Sequence, residues 1–243
     1  MSVQFRPEEK ALNPRHWPDG SLLGLLKERS REALLGLGVP IMYRPREFVI
    51  KQGDPGRHVL VLLSGSVKVV SNPGNGHDVL LAVRVGGDVL GETALFEQQR
   101  RNEDAIACTP VQARLVRGRQ LADFLSRHPD VMLTFTRVLS EHLRWANHRR
   151  VDLVACPAPI RLARILVSLA ARYGAATSCG LDLGIPLSQA ELASLAGIAL
   201  TSAEKALHWL QEEGVVQRRY RRIVVTNMAR LRRFSGWNDE IPY

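Results

Sequence analysis

Long apolar runs are missing from this 243-residue chain, and none approaches the ~20 residues that a membrane-spanning helix requires. The opening stretch, MSVQFRPEEKALNPRHWPDG, is polar and lacks the apolar core of a secretory signal, so a cytoplasmic protein with no membrane partner is expected. Cysteine is scarce as well. Cys108, Cys156 and Cys179 are widely separated and form no CxxC pair, which argues against a zinc site or an iron–sulfur cluster and leaves free thiols in a reducing compartment. His58, His77 and Cys108 have no metal-ligand spacing, so no metal is expected. A cupin-type metalloenzyme would need an HxH pair with a carboxylate and a further histidine. The histidines here are isolated, and no catalytic residue is expected. What the chain does have is positive charge. Lys and Arg number 33 against 24 Asp and Glu, a formal net charge of +9 that suits a polyanion such as nucleic acid or a membrane surface.

The pattern changes character along the chain. Residues 1–40 form a polar lead-in followed by one short apolar helix candidate, SLLGLLKERSREALLGLG. Residues 41–117 carry short Val/Leu runs (HVLVLL, SVKVV, DVLLAVRV, QARLV) separated by turn signals at Gly53–Gly56, Gly65, Pro73–Gly76 and Gly86–Asp88. Strands at this spacing predict a sandwich or roll, with a double-stranded roll the best match. Residues 118–156 read as a single long helix with Val131, Phe135, Val138, Leu139, His142, Leu143, Ala146, Arg150, Leu153 and Val154 on one side. That length suits an interface, although its first half fits core packing equally well. Pro157 and Pro159 then mark a hinge, and residues 157–243 form a second domain.

Within that second domain, Ser188 is followed three residues later by Glu191, and Thr201 three residues later by Glu204. Each pair fits a capping box, predicting helices over about 189–196 and 202–213. Gly197 lies where the chain needs a positive φ, Ala193 allows close helix crossing, and Gly214 stops the second helix. A short Gly-containing connection of this kind serves a helix-turn-helix or any αα-corner. Directly behind it, VVQRRYRRIVVTN predicts a hairpin whose Arg218, Arg219, Arg221 and Arg222 cluster around Tyr220 and suit phosphate contact.

Three segments in this order resemble the Crp/Fnr family of bacterial transcription regulators over roughly 43–233. They are YRPREFVIKQGDPGRHVLVLLSGSVKVV, GGDVLGETALF and IPLSQAELASLAGIALTSAEKALHWLQEEGVV. The resemblance implies an α+β chain. Its parts are a cyclic-nucleotide-binding-like β-roll (a double-stranded β-helix), a long dimerisation helix and a C-terminal winged helix-turn-helix. It also implies a homodimer, double-stranded DNA as partner, and RNA polymerase as a further one.

In family members that bind cyclic AMP, a Gly-Glu pair meets the ribose and an Arg-Ser pair the cyclic phosphate. Gly91, Glu92 and Arg101 match three of these positions, the arginine with a one-residue gap, but Asn102 stands where serine is expected, and Glu103 and Asp104 add repulsion beside an anion. The family's adenine-binding Thr-Ser aligns with Ala146 and Asn147, and Ala146 has no hydroxyl. Gly91, Glu92, Arg101, Asn102 and Asn147 are therefore the candidate nucleotide site, with cyclic AMP or another effector as its ligand. In the reading helix, Leu200 and Thr201 replace the family's base-reading Arg and Glu. Lys205 suits guanine O6 and N7, Thr201 and Ser202 a base edge or phosphate, and Leu200 a thymine methyl. His208 also faces the groove side, Glu204 caps its helix or accepts from cytosine, and Ser188 and Gln189 suit phosphate. A cupin-like enzyme with an accessory domain, and a protein that binds another protein through its C-terminal helices, remain open.

Overall fold

The computed structural model describes residues 17–74, 76 and 78–237; His77 and the start of the lead-in lie outside the described residues. The single helix expected before the roll is two, α1 (Leu22–Leu25) and α2 (Glu28–Leu35), because Leu26 and Lys27 between them are extended (ψ 140° and 149°). Ser21 caps the first by accepting from Gly24 N at 3.2 Å.

The roll contains β1 (Val39–Tyr43), β2 (Phe48–Ile50), β3 (His58–Ser64), β4 (Ser66–Ser71), β5 (Val79–Val85), β6 (Val89–Leu90), β7 (Asp104–Ala107) and β8 (Val111–Arg117), with α3 (Glu92–Phe96) after β6. They form two antiparallel four-stranded sheets, ordered β1-β8-β3-β6 and β2-β7-β4-β5. Alternating side chains of both sheets, among them Leu60, Leu62, Val67, Leu90, Ala105 and Val111, meet in one buried cluster.

The long helix divides. α4 (Gly118–Arg127) and α5 (Pro129–Ala155) share His128 as the end of one and the start of the other. Pro129 has no N–H to donate backward and disfavours a helical His128, so a continuous 118–156 helix is replaced by a short and a long one. Val131, Phe135, Val138 and Trp145 are buried along α5, whereas Leu143, Leu153 and Val154 are exposed. Cys156 and Pro157 are extended at the hinge, and α6 (Ala158–Tyr173) follows. The C-terminal domain then runs β9 (Ala175–Thr177), β10 (Gly180–Asp182), α7 (Gln189–Ala196), α8 (Leu200–Glu212), β11 (Val216–Arg219), β12 (Arg222–Val225) and α9 (Met228–Ser235). Its sheet is ordered β11-β12-β10-β9, so two strands that the sequence pattern did not announce complete the wing.

One apolar cluster crosses from roll to C-terminal domain, joining Val70, Leu80, Ala82, Val83 and Val85 to Leu162, Leu166, Leu192, Leu195 and Leu207. Polar contacts stitch the same seam. Ser194 Oγ accepts from Leu80 N at 2.8 Å, Tyr173 Oη donates to Val83 O at 3.0 Å, and Lys68 Nζ lies 2.8 Å from Glu191 Oε1. Burial works to raise the Glu191 carboxyl, but hydrogen bonds from Lys68 and Ser188 outweigh it and hold the carboxyl below its ordinary value of 4.5. A depressed carboxyl stabilises the fold above that value, and the contribution disappears as pH falls through the folded value. Thermal unfolding of Glu191→Gln is expected at a lower Tm than wild type at neutral pH, with the two converging below about pH 4.5. A gap that persists unchanged in acid would remove Glu191 from the seam's electrostatics.

Candidate DNA-reading interface and effector cavity

Ser188 opens α7 with a complete capping box: its Oγ accepts from Glu191 N at 3.2 Å, and Glu191 Oε2 accepts from Ser188 N at 2.7 Å. Gly197 ends the helix at φ 62°, and a Cβ there would sit 2.6 Å from Leu153 Cδ2. The second capping box does not form. α8 starts at Leu200 with Ala199 as its cap residue, so Thr201 and Glu204 lie inside the helix and both are exposed. Alanine offers no acceptor, which leaves the first N–H groups of α8 without a side-chain partner and free for an anion. Ala203, Ala206, Leu207 and Leu210 face the core, and Thr201, Lys205 and His208 face outward with Ser202 half-buried beside them.

The wing arginines differ in their freedom. Arg218 Nε donates to Gln211 Oε1 at 2.6 Å, Arg221 contacts Glu191 and Pro186 O, and Arg222 pairs with Asp182. Gln189 lies between Glu204 and Arg218, donating to the first at 3.3 Å and accepting from the second at 3.1 Å. Among the described residues, Arg219 and Lys205 are exposed cations that make no ion pair. A groove of about 440 Å³ brings Ser188, Gln189, Leu200, Glu204, Arg218, Arg219, Arg221 and Arg222 together. Thr201, Ser202, Lys205 and His208 are outside its lining, on the adjoining part of α8.

The roll encloses a cavity of about 620 Å³ closed on one side by α5. Gly91, Glu92, Arg101, Asn102, Glu103, Asp104 and Ala146 line it, together with Arg84 and Trp145, which the sequence pattern did not single out, and His142, which it placed only in the periodicity of the long helix. Asn147, by contrast, is exposed and not part of the lining. Arg101 is buried, and its guanidinium is engaged within the fold, donating at 2.5 Å to Gly91 O and at 2.5 Å to His58 O. Burial raises the carboxyls of Glu92 and Glu103, and for Glu103 the nearby Glu92 and Glu97 raise it further. Both ring nitrogens of His142 are buried without a hydrogen-bond partner, and burial with the charges of Arg84 and Arg172 pushes its pKa down to about 2. The Cys108 thiol is pushed up to about 11 by burial. Among the described residues, no group of three or more His, Cys, Asp or Glu is placed to hold a metal, and no helix is long and apolar enough to cross a membrane.

Comparison with known proteins fits this architecture. Residues 40–128 match the cyclic nucleotide-binding domain, and residues 160–234 match the Crp-like helix-turn-helix domain. A "CRP-like cAMP-activated global transcriptional regulator" from Mycobacterium tuberculosis is 27% identical over 194 residues, 80% of this chain and 87% of that protein. The "Cyclic AMP receptor protein" of Thermus thermophilus is 28% identical over 181 residues, 74% of this chain and 76% of its own. A CRP-family transcriptional regulator of known structure, also from Thermus thermophilus, superposes with a TM-score of 0.67 at 25% identity, covering 81% of this chain and 96% of that one. The c-di-GMP responsive global regulator CLP of Xanthomonas campestris shares the fold at 22% identity, with a TM-score of 0.69 over 82% of this chain and 99% of its own.

Gly91 leaves no room for a side chain in the cavity wall. Its φ is 83°, and a Cβ would stand 2.4 Å from Arg101 Nη1. Gly91→Ala is expected to cost about 1–3 kcal/mol in urea unfolding, because alanine is strained at this φ and the guanidinium must move. An unchanged midpoint would show that Arg101 swings clear without loss.

Proposed function

This chain belongs to the Crp/Fnr family of transcription regulators, and on that premise we propose that it is a homodimer that reads a two-fold DNA site. The observation that carries this reading is the uncapped start of α8 at exposed Leu200 and Thr201, beside the two unpaired cations Lys205 and Arg219. Ser188 and Gln189 at the start of α7 meet phosphate. Lys205 donates to guanine from the major groove, Leu200, Thr201 and Ser202 touch base edges, and His208 and Glu204 border them. Arg218, Arg219, Arg221 and Arg222 of the wing meet the flanking backbone. Leu143 and Val154, 63% and 92% exposed on α5, form an unpartnered apolar stripe suited to the same stripe of a second copy. RNA polymerase in the cytoplasm is the further partner that this role implies, and the role requires no catalysis.

The test is binding of Lys205→Ala and Arg219→Ala to a selected two-fold site and to random duplex. Lys205→Ala is expected to weaken the specific site by about 1–3 kcal/mol and relax one base position. Arg219→Ala is expected to weaken both DNAs alike and to reduce the salt slope by about one. Equal loss on both DNAs for Lys205→Ala would reassign that lysine to phosphate.

The roll cavity is the effector site in this reading, and its lining favours an uncharged or cationic ligand over a cyclic phosphate. Arg101 already donates to two carbonyls, and the four carboxyls of Glu92, Glu97, Glu103 and Asp104 outnumber the guanidiniums of Arg84 and Arg101 in the lining. A cyclic AMP-gated protein is the second reading, favoured by the retained Gly91, Glu92 and Arg101 and by relatives named for cyclic AMP. Calorimetric titration with cyclic AMP, and with cyclic GMP as control, separates the two. No saturable heat at micromolar concentrations is expected. Saturable heat with cyclic AMP that Arg101→Ala abolishes would establish the second reading.

A further inference from the structure

The carboxyl end of α7 is held from outside the helix-turn-helix by two arginines. Arg161 on α6 donates to Ala196 O at 3.2 Å and to Gly197 O at 2.9 Å. Arg149 on α5 donates through Nη2 to Leu195 O at 2.5 Å. The last carbonyls of a helix have no partner within it and carry the negative end of its dipole, so a guanidinium is favoured there on both counts.

Arg149 has two further contacts that Arg161 lacks. Its Nη1 donates at 2.6 Å to Leu81 O on β5, and its Cζ lies 4.6 Å from the centre of the Trp145 ring. Leu81 and Trp145 both line the 620 Å³ cavity. Trp145 is anchored in turn by Nε1 donating to Ser168 Oγ on α6 at 2.9 Å. One planar side chain thus touches the effector cavity wall, the outer hairpin of the roll and the first helix of the reading motif.

We propose that Arg149 is the positioning residue that sets the angle of the DNA-reading motif on the roll. The proposal rests on the two-fold reading argued above. Two half-sites one helical turn apart require two reading helices at a fixed separation and tilt, whereas one half-site places no demand on their mutual orientation. A side chain bonded to both bodies removes the swivel between them, and so lowers the ordering cost of engaging both half-sites at once. Lysine cannot substitute, because a single ammonium has neither the two-pronged planar geometry nor the flat face that stacks on indole.

The experiment uses the full-length protein with Arg149→Lys, Arg149→Ala and, as a charge control, Arg29→Lys at an exposed position of α2. Duplexes carry a two-fold site selected with the wild type, or the same site with one half scrambled. Both Arg149 variants are expected to lose about tenfold on the full site and less than twofold on the half-site, as expected for lost preorganisation, with Arg29→Lys unchanged. Parallel losses on the two duplexes, or no loss on either, would overturn the proposal. A second readout does not depend on DNA. With Cys108 and Cys156 replaced by serine, spin labels at the exposed Cys179 of the two copies report the distance between reading domains. A narrow distribution that broadens in Arg149→Lys supports the positioning role, and an unchanged distribution contradicts it. A wild type that selects no two-fold site, while its labels still narrow and broaden in this way, would overturn the DNA reading and leave the positioning role standing.

Discussion

Part of the outer hairpin of the roll, β4 and β5, packs outside the roll's own core. Val70, Leu80, Ala82, Val83 and Val85 find their partners instead in α6, α7 and α8. Each fully buried Val or Leu contributes about 1.5–3 kcal/mol, so this shared cluster outweighs the ion pairs along the same seam, whose typical value is about 0–1 kcal/mol. The apolar seam supplies adhesion and the polar contacts supply direction. Ser194, Tyr173, Lys68 and Arg149 each fix one hydrogen bond across it, and a hydrogen bond has an angle where an apolar contact has none. The prolines of the hinge break the helix between α5 and α6, but the seam decides where the reading domain rests after the break.

Much of this was visible in the sequence, and the parts that were share one property: they are local. The Ser188–Glu191 box, the positive φ at Gly197 and the apolar face of α8 all depend on residues within a few positions of each other. The Thr201–Glu204 pair has the same spacing as the first box, yet it does not cap. α8 begins one residue before Thr201, and nothing in the spacing states which of two adjacent residues takes the extended conformation. The division of the long helix at His128 had a local signal in Pro129, but the apolar periodicity on either side of the proline concealed it. β9 and β10 are three residues each, too short for an alternating pattern, and become strands through pairing with β12 and each other.

The parts of the cavity that the sequence did not disclose depend on distant partners. Arg101 matches a phosphate-binding position by alignment, but its guanidinium ends on the carbonyls of Gly91 and His58, the second of them 43 residues away. Any residue type supplies a carbonyl, so a contact of that kind leaves no trace in residue identities. Arg149 was hidden for the same reason, since Leu81 O and Leu195 O are backbone atoms. His142 fell within the apolar periodicity of α5, and only the fold shows that it faces a cavity with both nitrogens unpartnered.

This use of arginine changes how the net charge of +9 should be read. Arg101, Arg114, Arg149 and Arg161 all spend guanidinium N–H groups on backbone carbonyls inside the fold. Arg164 is paired with Asp152 and Arg222 with Asp182. A cation fixed in this way neutralises helix ends and carboxylates of its own chain, and releases no counterion from DNA unless it lets go of its partner. Lys205 on α8 and Arg219 on the wing, by contrast, are exposed and make no ion pair among the described residues, which is why the proposed function gives them the first contacts with DNA. Overall basicity and DNA affinity are in this respect separate properties. The guanidiniums held on the chain's own carbonyls and carboxylates add to the first, and in the proposed function the second rests on the exposed cations around the start of α8.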